Sequence, residues 1–546
     1  MKLVRDNDDV IAIIAISVIG LLLFAASFND PFHFDDVLIR NDANVTNPSH
    51  FFHFFNPLHL RQLTFLTFYL NHLIGGDNPG GYHVVNVLLH VANAVLLFIL
   101  LREFFDRWLA VAAAGLFLVH PIQTEPVLYI YQRSILLGCL FSLLALIAIT
   151  RQRPWLAGFF FLCAFESKES TLAVPLAVAL LYLSSNRRYR IVLLCGVLLF
   201  TIAGIGLLAY QHEQTVGIGI AGQVRPLSYF MTETRVVYTY IRLLFFPYTQ
   251  SLEYEFSGNA SFLPLLGICA ILGFAWVVWK NERWRIPAGC VFAFFILLAP
   301  TSSFIPSADA AFEHRLYLPM LAFSVLMAWL LSRLPLRSLA ITIVFAALIV
   351  LTVRRETVWS SDTALWEDTV SHVPGKARAW FNLGGAYLNT NPEKARPALL
   401  KALELKPDFV EAWYDLGILE QQRGRPDAAI SYYQRALELD PHYWQAWNNS
   451  GITLMNTGNR EAALHDFEET LHLNPDYWPA QYNIGIIHFM AGRYSEAIPR
   501  LKIVLDWQPD FRDARYALAT CYTRIGDKNA AAEELRELGL GPSLSK

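Results

Sequence analysis

The sequence predicts an all-α protein in two parts, a polytopic bundle of membrane-spanning helices and a C-terminal solenoid of short helical hairpins. Long apolar runs fill the first two thirds of the chain, and a pattern with a period close to 34 residues fills the rest. Only 16% of the 546 residues are charged, against about 25% in an average soluble domain. We expect a membrane domain over 1–355, a linker helix over 356–376 and a repeat domain over 377–546.

The membrane part contains about eleven apolar runs that approach the roughly 20 residues needed to cross a bilayer. The first run follows an acidic start and lacks a small-residue cleavage site, so we expect a retained helix rather than a signal peptide. The stretch 230–247 carries three charges and is expected to be interfacial or re-entrant. The predicted spans are 10–28, 82–101, 108–121, 134–150, 154–166, 170–185, 190–210, 261–279, 286–300, 316–332 and 337–353.

The basic residues between these spans predict the orientation. With a cytoplasmic N-terminus in the inner (plasma) membrane, every tight basic loop lies inside, as the positive-inside rule requires. An odd number of spans then places the C-terminal repeats on the periplasmic side, together with most of the other ionisable groups. The inner loops carry Arg102, Arg107, Arg151, Arg153, Arg187, Arg188, Arg190, Lys280, Arg283, Arg285, Arg333 and Arg337.

The C-terminal pattern, W-x2-LG-x2-Y followed by alanine, an aromatic residue, alanine and proline, is that of the tetratricopeptide (TPR) repeat. About five units match, and the first opens on Trp380, Leu383, Gly384 and Tyr387. Such a solenoid has a concave face suited to extended peptides. A rigid spacer or an oligomerisation module is the alternative.

Composition excludes some classes of function. The net charge of −3 gives no reason to expect a nucleic-acid partner. The six cysteines form no CxxC or Cys/His cluster, so neither a disulfide framework nor a structural zinc site is encoded. We expect no obligatory metal or other cofactor, although a divalent ion is not excluded.

Motifs along the whole chain resemble the transmembrane and TPR-containing (TMTC) protein O-mannosyltransferases. In order they are Phe34-Asp35-Asp36, the run from Leu60 to His90, His120-Pro-Ile-Gln-Thr-Glu125, Ser167-Lys168-Glu169, Pro247 to Tyr254, and Glu313-His-Arg-Leu-Tyr-Leu-Pro319. The sequence departs from the family at Gln62, where proline is common, and at Gln132-Arg133-Ser134-Ile135, where G-R-A-D/E is typical. These departures put the choice of donor or acceptor in doubt.

The resemblance implies a GT-C-type inverting glycosyltransferase that uses a polyprenyl-phosphate sugar. Such transfer needs a base for the acceptor hydroxyl, cations for the departing phosphate and a groove for the isoprenoid. Asp35 is the candidate base with Asp36 as its neighbour, since adjacent carboxylates raise the proton affinity of one of them. The alternative is that one aspartate caps the helix that follows.

Five cations are candidates for the donor phosphate, because arginine grips phosphate in a fork and lysine acts as a point charge. Structural ion pairs with neighbouring acids are the alternative. Histidines and glutamates near the same face are candidates for orienting the sugar or acceptor, or else polar contacts between helices. The phosphate candidates are Arg61, Arg133, Lys168, His314 and Arg315, and the orienting candidates are His83, His120, Glu125, Glu169 and Glu313.

The leading hypothesis is transfer of a sugar, such as mannose, from a polyprenyl-phosphate lipid to Ser/Thr of exported proteins, with the TPR groove recruiting the acceptor. One alternative is a glycosyltransferase that modifies a lipid or surface glycan. The other is a membrane-anchored TPR scaffold without enzymatic activity, for envelope or pilus assembly.

Overall fold

The structure is a computed structural model in which all regular secondary structure of the described residues is helical, as the sequence predicts. By its internal contacts the chain divides into two compact units, Met1–Val373 and Pro374–Lys546. The described residues are 6–47, 61–182, 226–256, 262–302 and 311–540.

The helices of the first unit follow one another through short turns. They are α1 (Asn7–Leu23), α2 (Asp36–Asn41), α3 (Ala43–Thr46), α4 (Gln62–Gly75), α5 (Pro79–Arg102), α6 (Arg107–Val119), α7 (Thr124–Leu128), α8 (Arg133–Thr150), α9 (Pro154–Ser167), α10 (Ala173–Tyr182), α11 (Pro226–Phe245), α12 (Leu263–Trp279), α13 (Arg285–Leu298), α14 (Pro319–Leu331), α15 (Arg337–Val358) and α16 (Asp362–His372).

Within the described residues, three helices are long and apolar enough to cross a membrane, namely α5, α8 with its preceding turn, and α15. A fourth candidate is α6 together with Pro121–Leu128, which are bent by 54° relative to each other. Other apolar helices, α9, α12 and α14 among them, are shorter than this test requires. The predicted number of eleven spans therefore stays a prediction, and the span at 190–210 lies outside the described residues.

Helix α5 packs against α1, α6 and α8 and carries a buried polar stripe. Its spacing of three and four residues puts His83, Asn86, His90 and Asn93 on one face. The Asn86 amide donates to the carbonyl of Val127 at 3.2 Å, and one ring nitrogen of His90 lies 3.1 Å from the carbonyl oxygen of Leu118. Such bonds hold apolar helices together where no water can satisfy the backbone.

The N-terminus of α1 and the α5–α6 loop lie at the same end of the first unit. Asp9 is buried, and its carboxylate accepts from Arg102 at 2.9 Å and from Arg107 at 3.1 Å. Arg107 also donates to Asp8 at 2.7 Å. Two of the predicted topology residues thus also anchor the first helix.

The second unit consists of helical hairpins whose members pack against each other and against the next hairpin. The first helices of the hairpins are α17 (Ala377–Leu388), α19 (Val410–Gln422), α21 (Trp444–Asn456), α23 (Trp478–Met490) and α25 (Arg512–Ile525). Their partners are α18 (Pro392–Leu405), α20 (Pro426–Leu439), α22 (Arg460–Leu473), α24 (Tyr494–Trp507) and α26 (Lys528–Glu537).

Glycine and tryptophan recur in this unit for physical reasons. The turn within the hairpin from α21 to α22 needs a left-handed residue, and Gly458 supplies it with φ +88. Inside α21, Gly451 has no side chain because a Cβ would collide with the ring of Phe467 on α22. The indole of Trp447 donates to the carbonyl of Pro441 at 3.0 Å and so ties α21 to the end of the preceding hairpin.

Candidate active site

A cavity of about 330 Å³ in the first unit brings together polar residues from distant parts of the chain. Five of the residues singled out from the sequence line it, and an apolar wall from α8, α13 and α14 completes it. The predicted site residues in its lining are Asp35, Lys168, Glu169, His314 and Arg315.

The two adjacent aspartates have different surroundings. Asp35 is half-buried, lines the cavity, and accepts a hydrogen bond from the Tyr129 hydroxyl at 2.8 Å. Asp36 is fully buried and accepts from three backbone amides, those of Tyr131 at 2.7 Å and of His33 and Ile130 at 3.2 Å each. Burial raises the pKa of Asp36 to about 7, although the three amides act to lower it. Asp36 therefore fastens the loop that presents Asp35.

Lys168 ends α9 and contributes a buried ammonium group to the cavity. Burial, reinforced by the charge of Arg61, lowers its pKa to about 8. The next residue, Glu169, accepts a bidentate pair of hydrogen bonds from Arg61. Burial alone would raise the pKa of Glu169, but Arg61 and Lys168 together hold it well below its usual range. Arg61 thus reaches the cavity through Glu169.

His314 connects the cavity to a buried group of acids. Its Nδ1 lies 2.6 Å from Glu125 Oε1, and the backbone amide of Glu313 donates to Glu125 Oε2 at 2.9 Å. The Glu313 side chain accepts from the amide of Gln250 at 2.6 Å and from the backbone amide of Ser251 at 2.9 Å. Glu125 and Glu313 therefore hold His314 in place from behind.

Arg315 enters the cavity from the same turn. It donates to the carbonyl of Thr301 at 3.0 Å and lies 3.6 Å from the buried carboxylate of Glu233. Glu233 belongs to α11, the charged helix expected to be interfacial or re-entrant. This pairing gives α11 a direct connection to the site.

Three residues proposed from the sequence do not line this cavity. Arg133 is fully buried and donates to Asn86 at 2.8 Å, to Asn71 at 2.6 Å and to the carbonyl of Tyr82 at 3.0 Å. His120 accepts from the amide of Ile122 at 3.1 Å and lies 3.0 Å from the carbonyl oxygen of Leu244, while His83 lies 3.4 Å from that of Pro31. Their visible contacts tie helices and turns together.

Sequence reasoning missed some of the lining. Tyr129, Tyr131 and Gln132 face the cavity from the turns between α7 and α8, and Thr301 faces it from the end of α13. Tyr129 is the most important of them because its hydroxyl contacts Asp35. A tyrosine between two motifs of the predicted outer face was the available signal, but aromatic residues are so frequent in this chain that it did not stand out.

Within the described residues, no group of three or more His, Cys, Asp or Glu side chains is arranged to hold a metal ion. The expectation that no metal is obligatory is untested by this and stays a prediction.

Fold and site together define an all-helical membrane protein with an acid- and cation-lined cavity and a TPR array. Tetratricopeptide repeat models match residues 377–409, 410–443, 448–501 and 488–540. Solved structures reach only low overall similarity. The crystal structure of MamA protein, for example, is 22% identical over 30% of this chain and 88% of its own, with a TM-score of 0.28.

Curated relatives are protein O-mannosyl-transferases. The Caenorhabditis elegans protein F38B6.6 is 27% identical over 64% of this chain and 54% of its own length. Mus musculus TMTC3 is 24% identical over 68% of this chain and 47% of its own. Drosophila melanogaster Tmtc1 is 30% identical over 36% of this chain and 24% of its own.

These similarities confirm the resemblance to the TMTC proteins that the motifs indicate. The chain spans about half the length of the curated relatives it matches over most of its residues.

Proposed function

We propose that this chain is a membrane glycosyltransferase that moves a sugar, such as mannose, from a polyprenyl-phosphate lipid to Ser/Thr of exported proteins. The observation that carries the proposal is the convergence of a carboxylate, an ammonium and a guanidinium on one cavity of the first unit. The names of the curated relatives support protein O-mannosylation as the reaction.

Asp35 is the proposed base. Its carboxylate faces the cavity and has one visible side-chain partner, Tyr129, so it has acceptor capacity left for a substrate hydroxyl. Asp36 is enclosed and bound to three backbone amides, which suits an anchor and not a base. In an inverting displacement, the acceptor oxygen attacks the anomeric carbon, Asp35 takes the hydroxyl proton, and the bond to the phosphate oxygen breaks.

Lys168 and Arg315 are the proposed partners of the leaving phosphate. The electron pair of the broken bond goes to the phosphate oxygen, whose charge grows in the transition state, and fixed cations in a water-poor site stabilise such charge strongly. The Lys168 ammonium has no hydrogen-bond or ion-pair partner in the described part of the chain, so it is available to a ligand. Arg61 and Arg133 are less suited to direct contact, because Glu169 and several amide and carbonyl oxygens already occupy their guanidinium groups.

The acceptor is proposed to be handled by the repeats. The predicted topology puts the repeat array and the Asp35 loop on the periplasmic side, where exported proteins pass. The concave surface of a TPR array suits an extended polypeptide.

The proposal is tested by transfer of labelled mannose from polyprenyl-phosphate mannose to exported acceptor proteins, in membranes that contain each variant. Asp35→Asn should lower kcat by a factor on the order of 10² to 10⁴, the usual contribution of a general base. Full activity of Asp35→Asn would remove Asp35 from the mechanism. Loss of transfer to protein in no variant or wild type, with altered surface glycan in a deletion strain, would favour the glycan-modifying alternative.

A further inference from the structure

The loop that presents Asp35 is held in an unusual backbone conformation. Phe34, directly before Asp35, has φ +50, in the left-handed region that non-glycine residues rarely adopt. Such a conformation persists only where neighbouring groups fix it. We call residues 33–36 the base loop.

Part of what fixes the base loop is the segment that follows α15. We call residues 359–366 the connector, because it leads through α16 towards the repeat unit. The ring of Trp366 contacts that of Phe34 edge-on at 5.7 Å between centroids, and Trp359 contacts His33 in the same way at 5.9 Å. His33 Nδ1 also lies 2.7 Å from Asp362 Oδ1.

Tyr129 joins the two sets of contacts. Its hydroxyl donates to Asp35, and its ring lies against Trp359 at 6.2 Å and against Phe34 at 6.1 Å. Trp359 is fully buried and Trp366 is 3% exposed, so neither indole can leave without opening a cavity beside the base loop.

The connector is itself fastened to the first unit. Arg355 on α15 donates to Asp368 on α16 at 2.7 Å, which fixes the angle between the two helices. Glu356 accepts from the backbone amide of Ser27 at 3.2 Å, just ahead of the base loop. Asp362 and Trp366 are four residues apart and therefore share a face of α16. That face is the one directed at the base loop.

We infer that the connector positions the proposed base, with Trp366 and Asp362 acting as positioning residues for Asp35 through Phe34 and His33. The inference rests on the proposed function of Asp35. Neither residue touches the cavity, so their effect is on the geometry of proton removal and not on the hold on the donor phosphate. Activity therefore depends on a segment that directly precedes the repeat array.

The test measures steady-state mannose transfer by full-length Trp366→Ala, Trp366→Phe and Asp362→Ala. Trp366→Ala should lower kcat about tenfold, equivalent to about 1.4 kcal/mol, with the donor KM unchanged, and Trp366→Phe should restore most of the rate. Asp362 is 48% exposed, so Asp362→Ala tests the same loop with little risk to folding. The matched control is Trp329→Ala, since Trp329 is 4% exposed but lies on α14 away from the base loop.

A double-mutant cycle sharpens the test. If Trp366 acts through Phe34, the effects of Phe34→Ala and Trp366→Ala on log kcat are less than additive. The inference is overturned if Trp366→Ala and Asp362→Ala keep the wild-type kcat, if Trp329→Ala lowers kcat equally, or if the two effects simply add. When Asp35→Asn is inactive, these results contradict the positioning role alone, whereas an active Asp35→Asn contradicts the proposed function.

Discussion

At the scale of single residues, the site separates groups that bind protein from groups that face the cavity. Asp35 and Asp36 are neighbours in sequence, yet only Asp35 lines the cavity. Arg133 and Lys168 are both buried cations, yet Arg133 is surrounded by oxygen atoms and Lys168 faces open space. The cost of each substitution should follow this division.

Lys168 should set the alkaline limb of activity. Burial lowers its pKa to about 8, so the ammonium is present below that pH and is lost as the pH rises through it. We expect kcat/KM, which reports on the free enzyme, to fall above about pH 8. Lys168→Arg should move this limb to higher pH because a guanidinium stays protonated. An unchanged pH profile in that variant would rule Lys168 out as the titrating group.

Arg133 should matter for stability. Arg133→Gln leaves buried acceptors on Asn71, Asn86 and Tyr82 without their donors, and each unsatisfied group costs about 1–3 kcal/mol. We expect a clearly lower melting temperature of the detergent-solubilised protein, measured by fluorescence-detected size exclusion after heating. Arg354→Gln is the matched control because Arg354 is exposed. Equal melting temperatures for the two variants would contradict this assignment.

At the scale of elements, the repeats depend on two kinds of glycine. Gly458 needs a left-handed conformation in open space, whereas Gly451 lies inside α21 against Phe467. The first requirement concerns the backbone alone, and the second concerns packing between the helices of one hairpin. Substitutions should therefore separate them.

Gly458→Ala should lower the stability of its hairpin by about 1–2 kcal/mol, the cost of placing a Cβ in the left-handed region. Gly458→Asn should cost less, because asparagine tolerates that region. Gly451→Ala should cost about 1–3 kcal/mol through overpacking against the Phe467 ring. Hydrogen exchange of residues 444–473 in the full chain measures all three. Equal protection in Gly458→Ala and Gly458→Asn would contradict the backbone explanation.

At the scale of the whole molecule, the predicted topology can be tested directly. We expect alkaline phosphatase fused after residue 546 to be active, and green fluorescent protein at the same position to be dark, because the repeats are predicted to be periplasmic. Fusions within the loop 102–107 should give the opposite result. A fluorescent fusion at the C-terminus would place the repeats in the cytoplasm and would remove the basis for acceptor recruitment outside.

Much of the fold and part of the site follow from the sequence. Apolar runs and the 34-residue period predict the helices and repeats, and motif letters identify Asp35, Lys168 and Arg315, which meet at one cavity. The sequence could not rank Arg133 below Lys168, since the oxygens around Arg133 come from α4 and α5, far away in the chain. For the same reason it could not reveal Trp366 beside Phe34.

The position of α16 has a practical consequence for exchanging repeat arrays between related enzymes. A joint placed at residue 356, where the apolar sequence ends, would remove Trp359, Asp362 and Trp366 along with the donor array. A joint after Val373, where the first unit ends by contact, would leave the side chains behind Asp35 native. Chimeras cut at the later joint are therefore the ones in which acceptor preference can be transplanted without rebuilding the catalytic half.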